Sequence, residues 1–271
     1  MSIEETKKLL QTFHITPNKL LGQNFMVEPA FYPKLATYTS LSKSDVVLDA
    51  GAGFGFLTRF LADKCKAVIA VEKDLQIAKV LREQTSRLSN VTVIEGDVLK
   101  LDLPAFNKVV AAPPYYLSSK LVLLLLERKV DCSVLIVQKE FANRLAAKVE
   151  TEDYSWLSVT VYQKAQVELL DVVPKEMFYP EPEVDSVILR LTPWQTPPFH
   201  VKDAVFFERM TKWLFTERNK KLANALEPFI KRALKISKHE YKRIIQESPF
   251  AEMRPRELTP ENFGEIANAF K

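Results

Sequence analysis

The chain has 271 residues, 47% hydrophobic and 27% charged, with a formal net charge of +4, a composition that suits a soluble globular protein of one large domain or one plus a small one. Its longest apolar run, Leu121 to Leu126, stops at Glu127 and Arg128, well short of the roughly 20 residues of a membrane span. Met1 to Gln11 is polar and charged rather than a secretory leader, so a cytoplasmic protein is expected.

From Asp45 to about Leu191 short β-branched runs alternate with helix-like segments, the pattern of a largely parallel sheet covered by helices. Strands are predicted at Val46–Leu48, Ala67–Val71, Val91–Ile94, Lys108–Ala111 and Cys132–Val137. Helices are predicted at Phe56–Lys64, Leu75–Arg87, Ser119–Arg128 and Glu140–Lys148. An alternating stretch near Ser158–Leu170 and a last strand at Val184–Leu191 complete this part. Pro193, Pro197 and Pro198 then break the pattern as a linker, because proline donates no backbone hydrogen bond. Beyond them Phe206, Met210, Trp213 and Leu214 follow helical spacing. The expected division is therefore 1–192, an α/β domain, and 193–271, a small all-α domain.

Charge is uneven along the chain. Residues 1–196 carry 23 Lys+Arg against 24 Asp+Glu, whereas 209–243 carry 11 against 3. A basic block at one end suits a polyanionic partner or a solvated helical face. Cys65 and Cys132 stand apart in apolar surroundings and the three histidines are scattered. Two buried, reduced thiols and no metal site are expected.

The first motif with chemistry is Asp49-Ala50-Gly51-Ala52-Gly53-Phe54-Gly55. A strand ending in an acid, a turn with glycine at alternate positions and then a helix let the backbone approach a ligand at the sheet's carboxyl edge. Dinucleotide sites prefer G-x-G-x-x-G, and Phe56 stands where the third glycine of that pattern would fall. An acid two residues before the first glycine is more typical of S-adenosylmethionine sites. Glu72, at the end of the second strand, is placed to accept from two ribose hydroxyls. Asp97, after the third, is placed to accept from an adenine amino group. Three acids at three successive strand ends point to a Rossmann-like, S-adenosylmethionine-binding domain.

The fourth strand ends in Ala112-Pro113-Pro114-Tyr115-Tyr116. This turn resembles the catalytic loop of amino methyltransferases, usually Asn or Asp, any residue, Pro, then an aromatic. A ring-attached amino group is a weak nucleophile because its lone pair is delocalised. Acceptors aimed at its hydrogens favour the pyramidal form, an aromatic ring stacks on the base, and positioning supplies much of the rate.

Leu21-Gly22-Gln23-Asn24-Phe25, Gln138-Lys139-Glu140 with Asn143-Arg144, and Phe178-Tyr179-Pro180-Glu181-Pro182-Glu183-Val184-Asp185-Ser186 together resemble the small-subunit ribosomal RNA adenine N6,N6-dimethyltransferase family. The match runs from about Thr16 to Thr192. Arg254 to Thr259 resembles the tail of archaeal members. The resemblance implies that Gln23, Asn24 and Phe25 pack over the cofactor and that Phe178 stacks on a flipped adenine opposite Tyr115. It also implies that Arg218, Lys220 and Lys221 form a basic, RNA-facing cluster. The implied function is N6-dimethylation of adenines near the 3′ end of small-subunit (16S) ribosomal RNA, by a monomer acting on the immature 30S subunit.

One position departs from the family. Aligning Pro114-Tyr115 puts Ala112 where Asn belongs, and alanine offers no acceptor. By analogy with deleting one preorganised polar group, the loss is on the order of 10²–10³ in rate. The alternatives left open are a weakly active or non-catalytic assembly factor and a methyltransferase for a glutamine amide.

Overall fold

In a computed structural model, the described residues are 3–18, 22–234 and 237–271. Leu21 of the N-terminal signature lies outside them. The helices are α1 (Ile3–Thr12), α2 (Tyr32–Tyr38), α3 (Phe56–Ala62), α4 (Leu75–Thr85), α5 (Ser118–Leu126), α6 (Lys139–Leu145) and α7 (Trp156–Lys164), then α8 (Ala204–Thr216), α9 (Leu222–Ala233), α10 (Lys238–Glu247) and α11 (Pro260–Ala269). The strands are β1 (Phe25–Met26), β2 (Val46–Ala50), β3 (Ala67–Glu72), β4 (Val91–Glu95), β5 (Lys108–Ala111), β6 (Cys132–Gln138), β7 (Ala165–Val173), β8 (Phe178–Tyr179) and β9 (Ser186–Pro193). None of the described helices is long and apolar enough to cross a membrane.

Seven strands form one sheet in the order β4-β3-β2-β5-β6-β9-β7. Strands β2 to β6 pair in parallel, and β9 runs antiparallel to β6, with Leu135 opposite Leu189. The central strands are apolar on both faces, as helix-covered parallel strands must be: Val47, Leu48, Val109, Val110, Val134 and Leu135 are all fully buried. Because strand order reverses between β3-β2 and β5, the carboxyl ends of β2 and β5 open a crevice there, where open α/β sheets bind ligands.

The chain divides into two compact units, 1–142 with 167–193 and 143–166 with 194–271. The break near residue 193 coincides with the expected linker. Residues 143–166, expected with the sheet, instead pack with the C-terminal helices. Tyr154, 1% exposed, donates its hydroxyl to the Leu258 carbonyl at 2.8 Å, and Val159 joins the same apolar cluster as Met210, Leu226 and Phe263. Within this unit α8, α10 and α11 each begin on a side-chain cap, from Asp203, Ser237 and Thr259, which satisfies amide groups a first turn leaves bare.

Most predicted elements shift by one to three residues at their ends. The alternating stretch near Ser158–Leu170 differs in kind: its first half is helix α7 and only Ala165 onward is strand. Ser155 and Ser158 cap each other's backbone there, and a capped start outweighs the strand preference of Val159, Thr160 and Val161.

Candidate active site

The turn after β2 is built on backbone geometry. Gly51 has φ +80°, and a Cβ there would lie 2.7 Å from Pro114 Cδ. No L side chain fits such a position. The amides of Gly51 and Ala52 donate to the Val71 carbonyl at 2.8 and 3.0 Å, which ties the turn to the end of β3. Phe54, 1% exposed, stacks on Phe25 with centroids 4.4 Å apart, so the turn carries the N-terminal signature on its back. A Cβ at Gly55 would meet Leu81 Cδ1 at 2.5 Å; this glycine lets α4 pack close.

Around the turn lies an open cleft. Gln23, Asn24, Phe25, Gly51, Gly53, Glu72, Asp97, Ala112 and Pro114 all line it. Three further residues singled out from the sequence, Asp49, Gly55 and Pro113, do not. Asp49 stands behind the turn, 1% exposed, accepting from Thr58 Oγ1 at 2.7 Å. Burial pushes its carboxyl up to about 7, the Thr58 bond opposing and the Glu72 charge adding.

Glu72 ends β3 and gathers three amides. Its Oε2 accepts from Gly53 at 2.9 Å, and Oε1 accepts from Lys73 and Asp74 at 2.8 and 2.9 Å. Burial still raises its carboxyl above the ordinary value, with those amides pulling the other way. Asp97 differs. Burial would raise it, but the Leu99 amide at 3.1 Å and the Lys73 ammonium at 3.2 Å prevail and hold it below the usual range. Gln23 accepts from the Asn18 amide through Oε1 and donates through Nε2 to Asp74 Oδ2, at 2.7 and 3.0 Å. Asp74 in turn caps α4 through the amides of Gln76 and Ile77.

The loop after β5 divides between two surroundings. Ala112 and Pro114 face the cleft. Tyr115 turns away: its hydroxyl lies 2.8 Å from Ser186 Oγ, and its ring meets Phe178 edge to face at 6.5 Å. Phe178 is 3% exposed. It sits in β8, which pairs antiparallel with β1, Phe178 opposite Met26 and Tyr179 opposite Phe25. The two rings expected to sandwich a base therefore contact each other, and neither lines the cleft. Position 112 does line it, presenting a methyl group.

Sequence reasoning passed over Lys73, Asp74, Ile77 and Val98 as cleft residues, and took Tyr116 only as part of the loop after β5. Asp74 carried a readable signal, an acid just before a helical pattern. Lys73 carried none, since a charged side chain beside a strand end is ordinarily solvated. In the helical unit, Arg218, Lys220 and Lys221 lie between α8 and α9. Arg218 donates to the Glu152 carbonyl at 3.4 Å. Lys220 pairs with Glu217 at 2.8 Å and Lys221 with Glu252 at 2.5 Å, and both lysines remain more than half exposed.

A sheet of this order with a glycine turn, two strand-end carboxylates and a Pro-Pro-Tyr loop at one crevice defines a Rossmann-like methyltransferase. The profile of the ribosomal RNA adenine dimethylase family matches residues 15–266, and the chain belongs to that family. It is 38% identical over 248 residues to a protein of Methanosarcina acetivorans described as "probable ribosomal RNA small subunit methyltransferase A", covering 91% of each chain. A protein of Thermococcus kodakarensis with the same description is 36% identical, over 97% of this chain and 93% of its own. Among solved structures, a dimethyladenosine transferase from Plasmodium falciparum superposes with a TM-score of 0.77 at 25% identity, over 88% of this chain and 94% of that one. The 23S rRNA methyltransferase ErmE gives 0.67 at 27% identity, over 91% and 99%.

Proposed function

We propose that the chain dimethylates the N6 amino groups of adenines near the 3′ end of small-subunit ribosomal RNA, with S-adenosylmethionine as donor. The observation that carries this reading is the convergence of Gly51, Glu72, Asp97, Ala112 and Pro114 on one cleft. The donor set suits an adenosyl group. A turn too tight for a Cβ admits a ligand against bare backbone, a carboxylate at the end of β3 accepts from a diol, and one after β4 accepts from an amine. Ile77 and Val98, 1% and 4% exposed, add aliphatic walls. When bound, S-adenosylmethionine supplies a sulfonium methyl carbon open to in-line attack by nitrogen.

The chain's own residues do the rest. Glu72 is already anchored by three amides, so it meets the ribose hydroxyls with its orientation fixed in advance. Asp97, held charged beside Lys73, accepts from the adenine amine. The Pro113 carbonyl is the remaining acceptor for the hydrogens of the target amine, since Ala112 supplies none. Tyr115 and Phe178 separate to admit the target base between them, exchanging a ring–ring contact for two ring–base contacts. Arg218, Lys220 and Lys221 exchange intramolecular partners for phosphates, which position the RNA without reading its sequence. The substrate particle is the immature 30S subunit, the protein acts as a monomer in the cytoplasm, and no metal takes part.

The test is methyl transfer from tritiated donor to immature small subunits, followed by mass spectrometry of the RNA 3′ end. Dimethyladenosine is the expected product. Absence of tritium at saturating donor would rule out the enzyme and leave a non-catalytic assembly factor.

A further inference from the structure

We propose that Tyr116 is a cofactor-binding residue whose ring closes the cleft over the adenosine of S-adenosylmethionine. The inference rests on the cofactor reading above and adds a wall that neither the glycine turn nor the strand-end carboxylates supply.

Tyr115 and Tyr116 are neighbours with opposite placements. Tyr115 is packed against Phe178 and bonded to Ser186, whereas Tyr116 is 50% exposed and lines the cleft. The Tyr116 ring rests on bare backbone: a Cβ at Gly22, where φ is +57°, would come within 3.4 Å of Tyr116 Cδ1. Asp97, the proposed partner of the adenine amine, and Lys73 line the same cleft as Tyr116. There the Lys73 ammonium donates to Asp97 at 3.2 Å, and Tyr116 stands close enough to Lys73 to act on it electrostatically. Ile77 and Val98 also line this cleft. They offer aliphatic contact but no flat face, and a purine needs one to stack. A tyrosine ring left half in water meets that need, gaining buried area and a stacking contact while its hydroxyl stays wet. The contact is made by the ring, so phenylalanine should replace tyrosine without loss.

The experiment is calorimetric titration of S-adenosylmethionine and S-adenosylhomocysteine into the full chain without RNA, as wild type, Tyr116→Ala and Tyr116→Phe. Tyr116→Ala is expected to weaken both ligands roughly tenfold, and Tyr116→Phe to stay within about twofold of wild type. Unchanged melting temperatures will show that this exposed side chain was removed without unfolding. Equal affinities for wild type and Tyr116→Ala overturn the proposal while leaving the cofactor cleft intact. Equal affinities with slower methyl transfer to RNA also overturn it, assigning the ring to the target base instead. A wild-type chain that binds neither ligand overturns the cofactor reading itself.

Discussion

The part of the site proposed for the cofactor and the part proposed for the target base, here the cofactor half and the target half, are built from different materials. The cofactor half is made of backbone: a turn whose φ values only glycine adopts comfortably, a carboxylate fixed by three amides, and strand ends held in register. The target half depends on individual side chains, two rings packed on each other and one methyl group where an acceptor belongs. Many backbone hydrogen bonds define the first half together, and its weak points are Gly51, which admits no side chain, and the single carboxylate of Glu72. A site resting on one side-chain oxygen disappears when that oxygen does.

The largest expected effect tests the target half. Ala112→Asn should raise the turnover of methyl transfer on the order of 10²–10³-fold, measured with tritiated donor on immature subunits. No change would mean that the loop works without a side-chain acceptor, and the contrast between the halves collapses. Glu72→Gln should weaken S-adenosylmethionine roughly ten- to a hundredfold by calorimetry, the worth of hydrogen bonds to a charged acceptor. A cofactor affinity equal to wild type would remove Glu72 from the cofactor half.

Asp49 separates the pocket from its foundation. Its carboxyl is raised by burial to about 7, so the folded chain keeps a proton that the unfolded chain sheds near the ordinary carboxylate value. Native stability therefore falls as pH climbs from about 4 to about 7 and stays lowered above that range. Asp49→Asn should raise the melting temperature at pH 8 and add nothing near pH 4, with a full difference of at most ~4 kcal/mol. A gain equal at both pH values would show that the charge is not the cause. The smallest effects concern the helical unit. Arg218→Ala should lower the slope of log affinity for RNA against log salt by about 1. Lys220→Glu with Lys221→Glu should weaken subunit binding and leave cofactor affinity unchanged; a parallel fall in both would break the division of labour between the units.

The sheet was legible because its central strands are apolar runs bounded by turn residues. Its cleft edge was partly legible: of the three acids read at strand ends, Glu72 and Asp97 line the cleft and Asp49 does not. What stayed hidden depended on contacts distant in sequence. Residues 158–164 look like a strand until Ser155 is seen to cap them. The sequence placed Tyr115 and Phe178 in one pocket; their mutual edge contact, and the turning of Tyr116 rather than Tyr115 into the cleft, follow from packing around Ser186 that no local pattern records. Asp49 read as a ligand because it sits two residues before Gly51. The chain direction at the end of β2 buries it instead, beneath the turn against Thr58.

The short ladder between β1 and β8 bears on how the two ligands influence each other. Phe25, at the cofactor cleft, and Phe178, beside Tyr115, belong to strands only two residues long that hydrogen-bond to each other. So small an element has little internal stiffness except what its partner lends, and displacing one strand displaces the other. With donor and base placed as proposed, such a link would couple their occupancies, and any such coupling is reciprocal: whatever factor the donor adds to the affinity for the base, the base adds to the affinity for the donor. Demethylated donor lacks the methyl that a base amine would approach, so the same ladder offers a way for the spent cofactor and the modified RNA to loosen together.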